Sequence, residues 1–478
     1  MYQSYGLFID GRWRQAADAA TLPVVDPATE EEIGAIPVAT PADLDDALRA
    51  AESGFQRWRR VSVNERAACL RRLAEGIRAR EDEIARMVTL EMGKPLAEAR
   101  AEVLATADQF EWNAEEAKRI YGHTLDGREK GVRYSVRFEP VGVVAAFTPW
   151  NFPVLLPARK LAPALAAGCS VVIKPAEEAP GASFAVARIA AEAGLPQGVL
   201  NVVTGEPARI STHLIASPIV RKVTFTGSVS VGKQLMKLAA EGMKKVSFEL
   251  GGHAPVLIFD DADPERAAAA CARAKFRNAG QVCISPSRFY VHRTLAEPFR
   301  DAFVSFASAL KVGSGMEPGV EMGPLANRRR LEAARAFVED SRAGGAKLLA
   351  GGGSPAGIRR GYFFSPTVLS DLAEDARMLS EEPFVPVAPL LGFDDFDEVI
   401  ERANALPFGL AAYLFTSRLR TAERAAEALE AGMVGINDFA LAASEAPFGG
   451  VKESGIGREG GSFGIREYLE PKTVKTVI

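Results

Sequence analysis

Three side chains in this sequence are of types that can together make and break a bond to carbon: a thiol, a carboxylate and an amide. The thiol is Cys283, in RNAGQVCISPSR. Asn278, Gly280 and Gln281 give it a polar, flexible approach that no helix or strand interior needs, which predicts a loop thiol able to attack as a thiolate. The plainer alternative is a buried structural cysteine, and that reading is kept for Cys69, Cys169 and Cys271, which lie in apolar or alanine-rich runs. The carboxylate is Glu249, in VSFELGGHAP. Flanked by Phe248 and Leu250, it is expected to be partly desolvated, which raises its pKa toward that of a useful general base. A strand-end glutamate facing water is the alternative, but Gly251 and Gly252 let other groups approach closely and favour the chemical reading. The amide is Asn151, in FTPWNFPVLLPARK. It is either a turn residue between prolines or a donor that a rigid loop aims at an oxyanion.

Two further segments suit a nucleotide. In FTGSVSVGK a strand ends at Phe225-Thr226, Gly227 and Ser228 follow, and a helix opens with Gly232 in its first turn, so backbone N–H groups can face a phosphate. The spacing is not G-x-G-x-x-G, so the segment is a weak signal by itself. In IKPAEEAP, Lys174 and Glu177 leave the carboxyl end of a strand, where ligands of open α/β sheets bind. A solvated charge cluster in a loop fits them equally well.

The elements that must position these groups read as an α/β protein. After a short strand-like start, a capping box at Ser62 and Glu65 opens a helix whose apolar stripe runs through Leu70, Leu73, Ile77, Ile84 and Val88 to a stop near Gly93 and Pro95. From Pro140 onward, VGVVAAF, CSVVIK, VLNVV and VRKVTFT alternate with helical stretches, one from about Pro157 to Ala167. This is the pattern of a doubly wound parallel sheet. A second strand series starts at VSFEL and PVLIF and continues through SRFYVH, APLLGF and AAYLFT, which predicts a second α/β domain. AGGAKLLAGGGSPAG, from Ala343, reads as a surface turn. RYSVRFEP and YLEPKTVKTVI alternate like exposed strands and are candidates for contacts between copies of the chain.

Bulk properties narrow the function. The 478 residues carry 57 Lys+Arg against 61 Asp+Glu, which leaves no basic field for nucleic acid or an anionic membrane surface. Four cysteines without a C-x-x-C pair and four scattered histidines predict neither disulfides nor a metal site. MYQSYGLFIDGRW has none of the features of a signal peptide, and no run approaches the ~20 apolar residues of a membrane span, so a cytoplasmic enzyme of small-molecule chemistry is expected.

Taken in order, TPWNFP, IKPAEE, FTGSVSVG, FELGGHAP, GQVC, EEPFVP and PFGGVKESGIGRE resemble the aldehyde dehydrogenase superfamily over essentially the whole chain. The resemblance implies a Rossmann-type NAD(P)-binding domain (1–120 and 141–248), an α/β catalytic domain (249–460) and a small β oligomerisation element (121–140 and 461–478). It implies Cys283 as nucleophile, Glu249 as the base that activates the hydrolytic water, and Asn151 with the Cys283 backbone N–H as oxyanion hole. Lys174 and Glu177 would hold the adenosine ribose and Gly227, Ser228 and Gly232 the pyrophosphate. Glu382, Phe384 and Trp150 would then face the nicotinamide half. NAD is expected in preference to NADP, because Glu177 repels a 2′-phosphate, although Lys174 beside it offsets part of that repulsion. The family commonly has glycine where this chain has Val385, which bears on the loop of Glu382 and Phe384.

Arg159 and Arg277 stand where semialdehyde-acid members have carboxylate-binding arginines, so the chain resembles succinate-semialdehyde and 2-oxoglutarate-semialdehyde dehydrogenases. A pair of loop-bridging structural arginines is the alternative. A substrate-contacting serine of many succinate-semialdehyde members falls at or near Ala443, and their second cysteine is Ser285 here. Broad aldehyde specificity stays open, as does a homodimer or homotetramer. Glu249 argues against an acyl-CoA-forming enzyme, and Cys283 with Glu249 against a catalytically silent NAD-binding scaffold.

Overall fold

A computed structural model describes residues 5–478. Its strands fall into two large sheets and smaller ones beside them. In the first large sheet, five parallel strands run in the spatial order Leu200–Val202, Ser170–Lys174, Val143–Phe147, Val220–Thr226, Lys245–Glu249. Leu7–Ile9, with Arg12–Arg14 outside it, flanks one side in antiparallel fashion and Gly455–Ile456 the other. The strand order reverses at Val143–Phe147, and ligands of such sheets bind at the carboxyl ends beside that point. Register does the placing: Phe147 pairs with Lys174 on one side and Phe225 on the other, and Thr226 pairs with Glu249. One carboxyl edge therefore carries Lys174, Thr226 and Glu249 together.

The second large sheet has the order Lys347–Ala350, Thr367–Ser370, Val387–Phe393, Pro286–His292, Ala254–Ile258, Ala411–Phe415, Met433–Ile436. All its pairings are parallel except the first. Its central strands are buried along most of their length, as are Val143–Phe147 and Ser170–Lys174 in the first sheet. Covering helices on both faces explain why these segments read as continuous apolar runs and not as alternating ones.

Three local expectations need correction. VSFEL does not start the second series: Lys245–Glu249 pairs with Val220–Thr226 and belongs to the first sheet, and the change of sheet comes after Glu249, at Gly251-Gly252. The apolar stripe from Leu70 to Val88 is two helices, Val63–Arg78 and Glu81–Met92, separated at Ala79-Arg80. Both halves bury their stripe against the same core, so periodicity runs on across the break. The first helix does open on the Ser62/Glu65 capping box, and the second ends on Gly93 at φ 91°. Within AGGAKLLAGGGSPAG, Lys347–Ala350 is an edge strand paired antiparallel with Thr367–Ser370. Its Lys347 and Leu348 are exposed, and so little apolar pattern distinguishes it from a turn.

Val132–Pro140 lies between Leu469–Val477 and His123–Asp126 in a three-stranded antiparallel sheet largely open to solvent. No helix among the described residues is long and apolar enough to cross a membrane.

Candidate active site

A cavity of about 430 Å³ opens at the reversal point of the first sheet, lined by Trp150, Asn151, Thr226, Gly227, Ser228, Gly251, Cys283, Glu382 and Phe384, among others. It brings the thiol and the amide onto one surface with much of the nucleotide segment. Glu249 borders this region, since its charge acts on the Cys283 thiol. Lys174, Glu177, Gly232, Arg159 and Arg277 do not line this cavity.

Cys283 follows a short turn in which Asn278, Ala279 and Gly280 all have positive φ (49°, 52° and 74°). A Cβ at position 280 would collide with the Val385 backbone carbonyl, so both the φ and the close approach require glycine there. Burial pushes the Cys283 thiol well up from its ordinary value, Glu249 and Glu382 add to the rise, and Arg159 opposes it. The other three cysteines are buried.

Glu249 ends its strand 3% exposed, and neither carboxylate oxygen has a protein partner. Burial, then the charge of Glu459, pushes its pKa up to about 8, with Lys160 and Arg159 opposing. A carboxyl group with both oxygens free and a proton affinity in that range is suited to take a proton from water. Behind it, Lys160 donates to Thr226 Oγ1 at 2.6 Å and to Glu459.

Asn151 is 3% exposed. Its Nδ2 donates to Gln281 O at 3.1 Å, which uses one amide hydrogen and leaves the other available, while Oδ1 has no partner. The cavity wall on the far side is Trp150 and Phe384, edge to face with ring centroids 5.6 Å apart. Phe384 holds φ 51°, a strained conformation for an aromatic residue. Val385 is fully buried in the core of the second sheet. Its side chain thus points into packing and its carbonyl against Gly280, which ties the Phe384 loop to the Cys283 turn.

The residues present fit a dinucleotide. Ser228 caps the helix Val229–Glu241 through Val231 N, which places a helix N-terminus at the cavity wall. A Cβ at Gly251 would strike the Glu382 carboxylate, so a bare backbone lies against an acceptor able to hold a ribose hydroxyl. Glu382 accepts from Gly252 N at 3.2 Å, and burial pushes its pKa up to about 7. Gly232 serves packing directly: a Cβ there would meet Leu250 at 2.6 Å. Lys174 Nζ donates to Glu177 at 2.6 Å and to Pro175 O at 3.0 Å. No cluster of His, Cys, Asp or Glu able to hold a metal occurs among the described residues.

The two arginines lie in different surroundings. Arg159 is 2% exposed, stacks 4.3 Å over Phe448, donates to Ala442 O at 3.3 Å and leaves Nη1 without a partner. Arg277 lines a second cavity with Val282, Ile284, Ser285, Tyr413 and Phe439, on the other side of the Cys283 loop. Sequence reasoning passed over Lys94, Glu102, Lys160 and Glu459. Lys94 sits in the helix-stop signal Gly93-Pro95 and Glu102 mid-helix, where a glutamate reads as a solvated face. Lys160 and Glu459 each lie within a motif already quoted, and their burial was the missing signal.

The profile of the aldehyde dehydrogenase family matches residues 13–474. The glutarate-semialdehyde dehydrogenase of Pseudomonas putida is 44% identical over 465 residues, 97% of this chain and 96% of that protein. The NADP(+) succinate-semialdehyde dehydrogenase of Escherichia coli is 43% identical over 464 residues, 97% of this chain and 96% of that one. A crystal structure of succinate-semialdehyde dehydrogenase from Burkholderia pseudomallei superposes with TM-score 0.97 at 44% identity, covering 99% of this chain and 98% of that chain. The chain belongs to the aldehyde dehydrogenase family, enzymes that oxidise aldehydes with NAD or NADP.

Proposed function

We propose that the chain oxidises a short aldehyde bearing a distal carboxylate, succinate semialdehyde first, to the acid through a thioester on Cys283, with NAD preferred over NADP. The observation that carries the chemistry is that Cys283 and Asn151 line one cavity beside the buried Glu249, which has two free oxygens, pairs in the sheet with Thr226 of the cavity wall and acts by its charge on the thiol. Cys283 gives its thiol proton to solvent and attacks the carbonyl carbon as a thiolate, and the oxyanion of the thiohemiacetal takes hydrogen bonds from Asn151 Nδ2 and the Cys283 N–H, each worth about 3 kcal/mol in comparable sites. A nicotinamide held in this cavity would supply the two-electron acceptor that the oxidation of this adduct to a thioester needs. Glu249 removes a proton from water, the water opens the thioester, and the thiol returns. Gly227, Ser228, Glu382, Phe384 and Trp150 hold the cofactor beside the thiol, with Lys174 and Glu177 at the adenosine end.

The substrate reading rests on the buried, half-satisfied guanidinium of Arg159 and on Arg277 in the adjoining cavity, with relatives named for glutarate and succinate semialdehydes. The NAD preference rests on the Lys174–Glu177 pair: the lysine is already spent on Glu177 and Pro175, so the exposed part of the site remains acidic toward a 2′-phosphate. The open three-stranded sheet of His123–Asp126, Val132–Pro140 and Leu469–Val477 supports assembly into a dimer or tetramer.

The deciding experiment compares kcat/KM for succinate, glutarate and 2-oxoglutarate semialdehydes and for uncharged aldehydes, each with NAD and NADP, with and without coenzyme A. Preference for a semialdehyde with NAD and no dependence on coenzyme A is expected. Equal rates on uncharged aldehydes would replace this with a broad-specificity enzyme, and no turnover on any would leave a silent scaffold.

A further inference from the structure

The backbone that carries Asn151 is held from behind by a buried cation. Lys94 is 1% exposed. Its Nζ donates to Asn151 O at 2.8 Å and to Glu102 Oε2 at 2.5 Å, and lies 3.9 Å from the centre of the Phe152 ring. The other oxygen of Glu102 accepts from Val154 N at 3.0 Å and Leu155 N at 3.1 Å. These are unpaired donors at the start of the helix Leu155–Ala167, whose own N-cap, Val154, has no side chain to satisfy them. One residue pair therefore grips Asn151 by its carbonyl and the segment that follows it by its amides.

The helix Leu96–Ala117, which carries Glu102, also reaches the nucleophile turn. Glu98 accepts from Asn278 N at 3.0 Å, and Asn278 Nδ2 donates to Asn151 O at 3.0 Å and to Gln281 O at 3.1 Å. Asn151 Nδ2 donates to that same Gln281 O. The Asn151 carbonyl thus receives two donors, one from each side. The root of the lysine is fixed as well: a Cβ on Gly315 would press on the Lys94 carbonyl, and Leu96 N donates to Gly315 O at 3.0 Å.

A fully buried ion pair is a poor stabiliser, because desolvating both ions cancels most of their attraction. Orientation is what this one adds. Resting on the reading of Asn151 and Cys283 given above, we propose that Lys94 and Glu102, with Glu98, are positioning residues that set the oxyanion donor in register with the nucleophile loop. A displacement of about 1 Å at such a donor costs on the order of 100-fold in rate.

The test is a double-mutant cycle on the single-turnover rate of NADH formation with saturating NAD and succinate semialdehyde, or butyraldehyde should the substrate panel favour it. Lys94→Met alone strands the Glu102 carboxylate, so the main variant is Lys94→Met/Glu102→Gln, which buries no unpaired ion. It should slow NADH formation roughly 10- to 100-fold with the KM for NAD unchanged, and in an Asn151→Ala background the same pair should cost at most about threefold. Glu102→Asp keeps the charge and withdraws the carboxylate by one methylene; a smaller loss that also vanishes with Asn151→Ala would support the same conclusion without a change in buried charge. Equal losses in both backgrounds, or a loss confined to NAD affinity, would overturn the proposal while leaving Asn151 as the donor. If Asn151→Ala by itself left the rate unchanged, the reading of Asn151 would fall and this inference with it.

Discussion

The two cavities beside the Cys283 loop differ in how they are built. On the cofactor side, Thr226 and Glu249 end strands whose register is fixed by the sheet, Gly227 comes directly after one of them, and Asn151 follows the end of a neighbouring strand. On the distal side, Ser285, Phe439 and Ala440 come from loops, Arg277 from a turn, Ala270, Arg273 and Ala274 from the helix Pro264–Phe276, and only Tyr413 from a strand interior. Parallel-strand ends cannot shift without breaking a ladder, whereas loops exchange residues at little cost to the fold. On the proposed reading, Glu249 and Asn151 act from the rigid side, Cys283 acts from the loop between the two cavities, and substrate choice belongs to the loop side, so variants on the two sides should fail in different ways.

The largest effect is expected at the nucleophile. Cys283→Ala should abolish oxidation of every aldehyde, a loss of at least about 10³-fold. Glu249→Gln should separate the half-reactions. It removes one of the charges that hold the proton on Cys283, so acylation survives, while water is no longer deprotonated and turnover falls about 10²- to 10⁴-fold. A pre-steady-state NADH burst followed by a stall, with the acyl adduct seen by mass spectrometry, is the expected record; steady turnover in either variant would break the assignment. For the two candidate substrate arginines, Arg277 on the loop side and Arg159 on the helix Leu155–Ala167, replacement by Met should cost ten- to a hundredfold in kcat/KM, about 1.5 to 3 kcal/mol, on succinate semialdehyde and little on an uncharged aldehyde of similar length. Parallel losses on both substrates would show that the arginines serve the fold.

A pH profile sharpens the comparison further. Glu249 acts only when ionised, and its pKa is pushed up to about 8, so thioester hydrolysis should rise with pH through that value and level off above it. The Glu249→Gln variant should lose this dependence. A hydrolysis rate that stays flat between pH 6 and 9, read by quenched-flow mass spectrometry, would remove Glu249 as the base.

Legibility followed the same division. The parallel strands were readable because burial on both faces leaves continuous apolar runs, and Glu249 and Asn151 were readable because glycines and prolines mark the strand ends beside them. What escaped was carried by tertiary burial. Glu102 in LAEARAEVL looks like one more exposed glutamate of an amphipathic helix, and only the packed structure shows it 4% exposed against Lys94. VSFEL was assigned to the wrong sheet because a buried strand has the same composition in either one. The break at Ala79-Arg80 was missed because two helices docked on one core keep a common apolar phase.

The smallest effect tests the outer end of the rigid side, at Glu177. This carboxylate lies on the loop after the strand Ser170–Lys174, with its side chain 31% exposed and bonded to Lys174. Two unit charges about 4 Å apart interact by roughly 1 kcal/mol in water and about 4 kcal/mol near a protein surface. Partial exposure and the lysine both reduce what a 2′-phosphate would feel at this place. Glu177→Gln keeps the shape and an acceptor for ribose hydroxyls, removes the charge, and frees Lys174 to meet the phosphate. The ratio of kcat/KM for NADP to that for NAD should therefore rise about tenfold, roughly 1.4 kcal/mol, chiefly through a lower KM for NADP. The aldehyde preference should not move, because nothing at the adenosine end touches the cavity of Arg277. A change in semialdehyde selectivity on this substitution would mean that the two cavities are coupled through the strand ends and are not built independently.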